Sequence, residues 1–178
     1  MYTFKTMVKT GSNMPIASNA TMPSYAFYYC QALSSIDWLS SCYPGLVSIP
    51  SYAFYYCQGI KSLSSLPSRI MSLGDYAFYY CTGLTGIQDL RNSGLTSLYN
   101  KYIFGYCTNV TEWKLPSTLT GTYFGNYAFA SNTQLSAIEL PASLTAIASY
   151  CFYSDTQLKN ISIPAKTAVV NIYAFYNC

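Results

Sequence analysis

Apolar and polar positions along this chain recur at intervals of 23 to 27 residues. A tyrosine opens each copy, a phenylalanine follows two positions later, and an aliphatic residue lies eight positions after the tyrosine in six copies. Seven copies that keep this phase predict a repeat architecture. The opening tyrosines are Tyr25, Tyr52, Tyr76, Tyr102, Tyr127, Tyr150 and Tyr173.

The later copies are regular enough to predict secondary structure. Between Leu135 and Phe152 a short alternating run, Ile138-Glu139-Leu140, ends at Pro141, and a second apolar pair follows. Short alternation with a proline stop predicts a short strand, and no stretch keeps the 3.6-residue period of an amphipathic helix. Each copy can bury its apolar positions only against its neighbours, which predicts an all-β solenoid.

This pattern resembles the BspA-like class of leucine-rich repeats. The match is clearest from Asn132 to Phe152 and again from Asp155 to Phe175. The resemblance covers residues 23–178 and implies a right-handed leucine-rich repeat solenoid of short parallel strands. It also implies a surface or adhesion-type binding protein that is not an enzyme. Residues 1–22 are expected to form an N-terminal cap or lead-in segment.

Two insertions lengthen the earlier copies, at Trp38–Gly45 and Gly121–Asn126. We predict that both bulge as loops from one edge of the solenoid. Cys42 lies in the first insertion, and we expect it to be the best candidate for a reactive or intermolecular thiol.

Five of the seven cysteines share one position in the repeat, five residues after the opening tyrosine. The resemblance implies that this position accepts cysteine or asparagine with the side chain turned inward, where it satisfies backbone groups, and we therefore predict reduced thiols. Disulfides between neighbours and a metal site are the alternatives, although a column of parallel side chains rarely has the dihedral angle that a disulfide needs. A metal site is disfavoured because the chain has no CxxC motif and no histidine. These cysteines are Cys30, Cys57, Cys81, Cys107 and Cys178, with Asn132 and Asp155 in the other two copies.

Composition excludes several classes of function. Without histidine the chain lacks the commonest general base, and it contains no nucleotide-binding glycine motif, so neither catalysis nor a cofactor is predicted. The net charge of +3 comes from scattered residues, which argues against nucleic-acid binding. No apolar run is long enough for a membrane helix, so membrane insertion is not predicted.

The twenty tyrosines supply the candidate site. When the copies stack, the two tyrosines after each phenylalanine form adjacent columns, and the structural interpretation is that they cover the edge of the core. The functional interpretation is that they contact a protein or glycan partner, because tyrosine on a rigid scaffold gives an adaptable contact surface. The candidate binding residues are Tyr28, Tyr29, Tyr55, Tyr56, Tyr79, Tyr80 and Tyr106.

A second function class is open at this point. The sequence stops directly after the seventh copy of the motif, at Cys178, without a polar cap. Open solenoid ends expose core and unpaired strand edges. Either the chain is a fragment of a longer protein, or the open end docks on another molecule. Docking head-to-tail on a second copy would make the protein a structural subunit of an extracellular fibre or virion-like assembly. For either class we expect an extracellular or cell-surface location, although the first residues do not read as a signal peptide.

Overall fold

The structure is a computed structural model that describes residues 21–178. The predicted N-terminal segment 1–22 therefore lies outside the described residues, apart from Thr21 and the buried Met22. The described part contains one short helix and seven short strands. They are α1 (Leu39–Cys42), β1 (Ser48–Ile49), β2 (Ser72–Leu73), β3 (Thr85–Asp89), β4 (Asn109–Lys114), β5 (Ala137–Ile138), β6 (Ala146–Ile147) and β7 (Val169–Val170).

The strands form two sides of a coil. Each copy of the repeat forms one turn of this coil, which we call a rung, and the rungs are numbered one to seven in the order of their opening tyrosines. On the first side β3, β4 and β5 pair in parallel. On the second side β1 pairs with β2, and β6 pairs with β7, again in parallel. Parallel bridges from Leu98 to Phe124 and from Tyr123 to Ala146 continue this second side between the two pairs. The predicted leucine-rich repeat fold of short parallel strands is confirmed.

The Tyr-Ala-Phe motif builds the third side. In the first rung the backbone N–H groups of Tyr25, Phe27 and Tyr29 donate to carbonyls of the second rung at 3.2, 2.8 and 2.8 Å. The same pattern continues to the last rungs, where Ser154 N–H donates to the Tyr176 carbonyl at 2.8 Å. Hydrogen bonds between rungs therefore run along all three sides.

This third side requires an unusual backbone at two positions per rung. The opening tyrosine and the residue four positions later both have a left-handed φ, between 53° and 62°. A non-glycine residue in this region costs about 1 kcal/mol or more. The backbone hydrogen bonds to the next rung offset this cost. Without the left-handed conformation the same N–H groups would be unpaired, which is also destabilising.

The core is a stack of phenylalanines filled in by aliphatic residues. The seven phenylalanines of the motif stack along the coil with ring centroids 5.2 to 6.1 Å apart, and all but Phe175 are buried. Trp113 packs against Phe104 at 4.3 Å between centroids. The core is therefore continuous through the described rungs, as expected for a solenoid.

The loop prediction for the first insertion is wrong. Residues Leu39–Cys42 form α1, and the Leu39 side chain is fully buried in the core. The Arg69 guanidinium donates to the carbonyls of Leu39, Ser40 and Tyr43 at 3.3, 3.4 and 2.8 Å, which fastens the helix end to a later rung. Cys42 is buried as well, so the prediction that it is an accessible reactive thiol is also wrong.

The second insertion does not bulge either. Phe124 is buried against Phe129, with centroids 5.4 Å apart, and its backbone bridges to Leu98. Both insertions contain large apolar side chains, and burying such a side chain contributes about 1.5–3 kcal/mol. That contribution draws each insertion onto the coil.

The tyrosine columns as a candidate binding surface

The opening tyrosines form one continuous column along the coil. Neighbouring ring centroids lie 4.4 to 5.2 Å apart through all seven rungs, and the rings stack in every pair except the last, which is tilted by 35°. Because each ring covers the next, this column shields the edge of the core. A structural role at the edge of the core therefore fits the geometry of these seven residues.

The candidate binding residues form a second surface, which we call the tyrosine strip. Tyr28, Tyr55 and Tyr79 stack at 4.8 and 5.1 Å. The neighbouring row consists of Tyr29, Tyr56, Tyr80 and Tyr106, whose successive ring centroids lie 4.5, 4.3 and 5.6 Å apart. In the first rung, Tyr28 and Tyr29 are 39% and 40% exposed. The strip consists of Tyr28, Tyr29, Tyr55, Tyr56, Tyr79, Tyr80 and Tyr106.

The strip has a defined end in the fourth rung. Gly105 stands where Tyr79 stands one rung earlier, and a Cβ on this glycine would lie 3.2 Å from the Tyr79 ring. The ring of Tyr106 leans toward this place and contacts both Tyr79 and Tyr80, with centroids 5.3 and 5.6 Å apart. In the fifth rung the two positions hold the buried residues Ala130 and Ser131.

The tyrosine strip is uncharged. Burial, followed by the nearby phenols of Tyr106 and Tyr55, raises the pKa of Tyr79 to about 12. Burial and its neighbours also raise the pKa of Tyr55. Residues 23–36, 46–60 and 76–88 contain no charged side chain. The strip therefore offers aromatic faces and neutral hydroxyl groups, which both donate and accept hydrogen bonds.

Contacts with the strip must be made through side chains. The backbone N–H groups of Tyr29, Tyr56 and Tyr80 donate to the next rung at 2.8, 2.8 and 2.9 Å. These groups are not available to an added strand, so recognition by β-strand addition does not apply at the strip.

The shared cysteine position lies next to the strip but faces inward. Cys57, Cys81 and Cys107 are buried, and each Sγ–H donates to the phenylalanine carbonyl of the preceding rung at 3.0, 3.2 and 3.4 Å. Burial raises the pKa of the Cys107 thiol to about 12. Cys30 is half-buried, and Cys178 is exposed while it donates to the Phe152 carbonyl at 3.1 Å.

Asn132 and Asp155 fill the same position in the fifth and sixth rungs. The Asn132 amide donates to the Phe104 carbonyl at 2.9 Å, as a cysteine does in the other rungs. Asp155 Oδ1 accepts from the Asn132 N–H at 2.8 Å, but its buried Oδ2 has no partner among residues 21–178. Burial raises the pKa of Asp155 well above its usual range.

Two exposed tyrosines of the described residues lie outside the repeated motif itself. Tyr99 and Tyr123 are about half exposed, and their ring centroids are 6.4 Å apart. They precede the opening tyrosines Tyr102 and Tyr127 by three and four residues, so an alignment on the motif does not bring them together. In the sequence they could have been recognised as tyrosines that do not occupy a repeated position of the motif.

Two absences bear on the function. Over residues 21–178, no three side chains of the histidine, cysteine, aspartate or glutamate type are grouped so that they could hold a metal ion. The same residues include no helix with the length and apolar character needed to span a bilayer.

Short parallel strands stacked around a continuous apolar core define the class of protein as a leucine-rich repeat solenoid. The model for the "BspA type Leucine rich repeat region" matches residues 20–122 and 47–178. The chain therefore belongs to the BspA-type leucine-rich repeat family, which is typically non-catalytic. Among curated proteins none matches the chain.

Two solved structures of bacterial leucine-rich repeat proteins are similar to this chain, and the first of them shows the same fold. The T. pallidum leucine-rich repeat protein is 22% identical with a TM-score of 0.64, over 83% of this chain and 64% of its own. A leucine-rich cell surface protein from Faecalibacterium prausnitzii is 17% identical with a TM-score of 0.48, over 87% and 60% of the two chains. This chain thus spans less than two thirds of the length of either structure.

Proposed function

We propose that this protein is a non-enzymatic binding module of the surface or adhesion type, whose tyrosine strip recognises a protein or a glycan ligand. One observation carries the proposal. The left-handed position that holds Tyr29, Tyr56 and Tyr80 in the first rungs holds Ser131 and Ser154 in later rungs, with the same φ near 60°. The fold does not need tyrosine at this position, so a contact role accounts for the strip.

The chemistry of the strip supports a neutral ligand surface. Aromatic faces with hydroxyl tips suit ligands that combine apolar patches with hydrogen-bonding groups, which describes both protein surfaces and sugar rings. The rungs hold the rings in place through stacking, so little side-chain entropy is lost on binding. The extracellular or cell-surface location rests on the family resemblance.

The test is a binding array of glycans and matrix proteins, probed with the wild-type chain and with a variant in which six strip tyrosines are replaced by serine. Binding to at least one ligand should fall by about tenfold or more, since several contacts of roughly 1 kcal/mol are lost. The six substitutions are at Tyr28, Tyr29, Tyr55, Tyr56, Tyr79 and Tyr80.

A matched control uses the Tyr153→Ser/Tyr176→Ser variant. These rings stack on each other at 5.3 Å but lie outside the strip, so ligand binding should be retained. If the six-fold variant unfolds, Tyr28→Ser/Tyr29→Ser tests the same surface at its first rung. A folded strip variant that binds as the wild type does would refute the proposal.

Head-to-tail self-association, as in a structural subunit, stays a prediction. Size-exclusion chromatography with light scattering at two protein concentrations tests it, and a strict monomer at both would count against it.

A further inference from the structure

A groove on the other side of the opening column has no role in the proposed function. It has a volume of about 490 Å³ and runs along the coil from the third to the seventh rung. With rungs about 4.8 Å apart it is roughly 19 Å long. Its volume lies within the range of about 300–1,000 Å³ that is usual for small-molecule sites.

Small residues make the floor of this groove. Gly125, Ala146 and Ala148 line it, and a Cβ on Gly125 would lie only 2.0 Å from the Asn100 carbonyl oxygen. Glycine at this position lets the two neighbouring rungs approach each other closely beneath the groove. The rings of Tyr99 and Tyr123 rise beside it at about half exposure, so two aromatic faces border a shallow floor.

Polar side chains of mixed character form the rim. Asp75 lines the groove, and its Oδ1 accepts from the Lys101 N–H at 3.0 Å, which leaves its second oxygen able to accept a further hydrogen bond. The Asn126 amide is exposed, has no partner among residues 21–178, and can both donate and accept. Asp75 and Lys101 supply one charge of each sign, so the rim as a whole is neutral.

The strand edges in this region are already occupied. Leu98 bridges to Phe124, Tyr123 bridges to Ala146, and β6 pairs with β7. An extended peptide therefore cannot add itself as a further strand and would have to bind through side chains alone. A pyranose ring meets the groove better, because its C–H face packs on an aromatic ring while its hydroxyls both donate and accept hydrogen bonds.

We propose that the groove bordered by Tyr99 and Tyr123 binds a neutral oligosaccharide. Sugar rings stack on the two tyrosines, and Asp75 and Asn126 take up the hydroxyl groups. An anionic ligand is disfavoured because Lys101 is the only cation that lines the groove, and its charge is offset by Asp75. The proposal uses none of the tyrosine strip and does not depend on its function.

The experiment is saturation-transfer NMR with four neutral disaccharides, namely maltose, cellobiose, lactose and diacetylchitobiose, at about 10 mM, a concentration that detects millimolar affinity. At least one should bind saturably, with transfer from tyrosine ring protons. The Tyr99→Ala/Tyr123→Ala variant should weaken binding by about tenfold or more. Because both rings are half exposed, the variant should have the same melting temperature as the wild type.

The matched control is Tyr153→Ala/Tyr176→Ala, which removes two stacked rings that belong neither to the strip nor to the groove and should keep the sugar affinity of the wild type. Absence of binding by all four disaccharides overturns the proposal. So does binding that survives the loss of Tyr99 and Tyr123, or that is lost in the control variant instead. A pool of neutral peptides that binds through Tyr99 and Tyr123 when the sugars do not would reassign the groove to a peptide.

The two proposals fail separately. Loss of array binding on mutation of the strip, with disaccharide binding unchanged, supports both. Disaccharide binding that needs Tyr99 and Tyr123, in a chain whose strip variant still binds every array ligand, supports the groove alone.

Discussion

The first four rungs and the next two share one backbone but differ in the side chains they carry. In the first three rungs the two positions after the phenylalanine hold stacked tyrosines, the fourth rung keeps only Tyr106, and the inward position holds cysteine in all four. In the fifth rung the same positions hold Ala130, Ser131 and Asn132. The φ of Ser131 is 61° and that of Tyr80 is 59°, so the turn itself is unchanged.

This comparison separates what the coil needs from what it tolerates. The phenylalanine is present in every rung and is buried in all but the last. At the inward position a thiol or an amide donates to a carbonyl, whereas Asp155 accepts from a backbone N–H. The outward positions tolerate alanine, serine or tyrosine, and their content is therefore open to selection for binding.

The largest expected effect tests this separation within one rung. Phe78→Ala should lower the free energy of unfolding by about 3–5 kcal/mol, because it leaves a cavity in a dense core. Tyr79→Ala/Tyr80→Ser copies the fifth rung onto the third and should cost only about 1 kcal/mol per ring through lost stacking. Urea denaturation followed by circular dichroism measures both values.

Equal losses in the two variants would break the comparison, because the tyrosines would then be as much part of the fold as the phenylalanine. Phe78→Leu is the control, since it keeps most of the buried volume and should cost less than Phe78→Ala.

The next effect concerns the inward position of the sixth rung. Asp155 has a folded-state pKa raised above its unfolded value of about 3.9, so the folded state favours the protonated acid. Its contribution to stability is complete below about pH 4 and is lost as the pH rises toward the folded-state pKa. Asp155→Asn should therefore stabilise the protein by about 1–3 kcal/mol at pH 7, with the gain vanishing near pH 4.

Thermal unfolding at several pH values measures this difference. The matched control is Asn132→Asp, which places a second buried carboxylate opposite the Phe104 carbonyl and should destabilise the protein at pH 7. A melting temperature of Asp155→Asn that equals that of the wild type at pH 7 would contradict the prediction.

The smallest expected effect concerns the ionisation of Tyr79 in the strip. The pKa of Tyr79 is raised to about 12 from an unfolded value of about 10, so the folded state favours the neutral phenol. Its contribution to stability is present below about pH 10 and is lost as the pH rises to about 12. Tyr79→Phe should remove the absorbance change of one phenol near pH 12 in a titration at 295 nm, while it keeps the stacked ring.

A titration of the urea-unfolded chain provides the reference, in which that phenol should ionise near pH 10. Loss of amplitude near pH 10 in the folded Tyr79→Phe variant would show that Tyr79 is not held neutral by its neighbours.

The sequence by itself determined the coil. A fixed period of phenylalanine, aliphatic and cysteine positions can bury its apolar residues only by stacking, so the parallel rungs follow from spacing alone. The same phase predicted that the strip tyrosines share columns, because residues at equivalent repeat positions must lie above one another. These properties depend on a register that every copy repeats.

The positions of residues that do not follow the repeat are apparent only in the tertiary structure. Leu39 and Phe124 draw the two insertions into the core, although their copies appear in the sequence only as extra length. The ring centroids of Tyr99 and Tyr123 lie 6.4 Å apart on the border of the groove, and no repeat position predicts that approach. Contacts between residues at non-equivalent positions of the repeat depend on the local path of the backbone, which the repeat spacing alone does not specify.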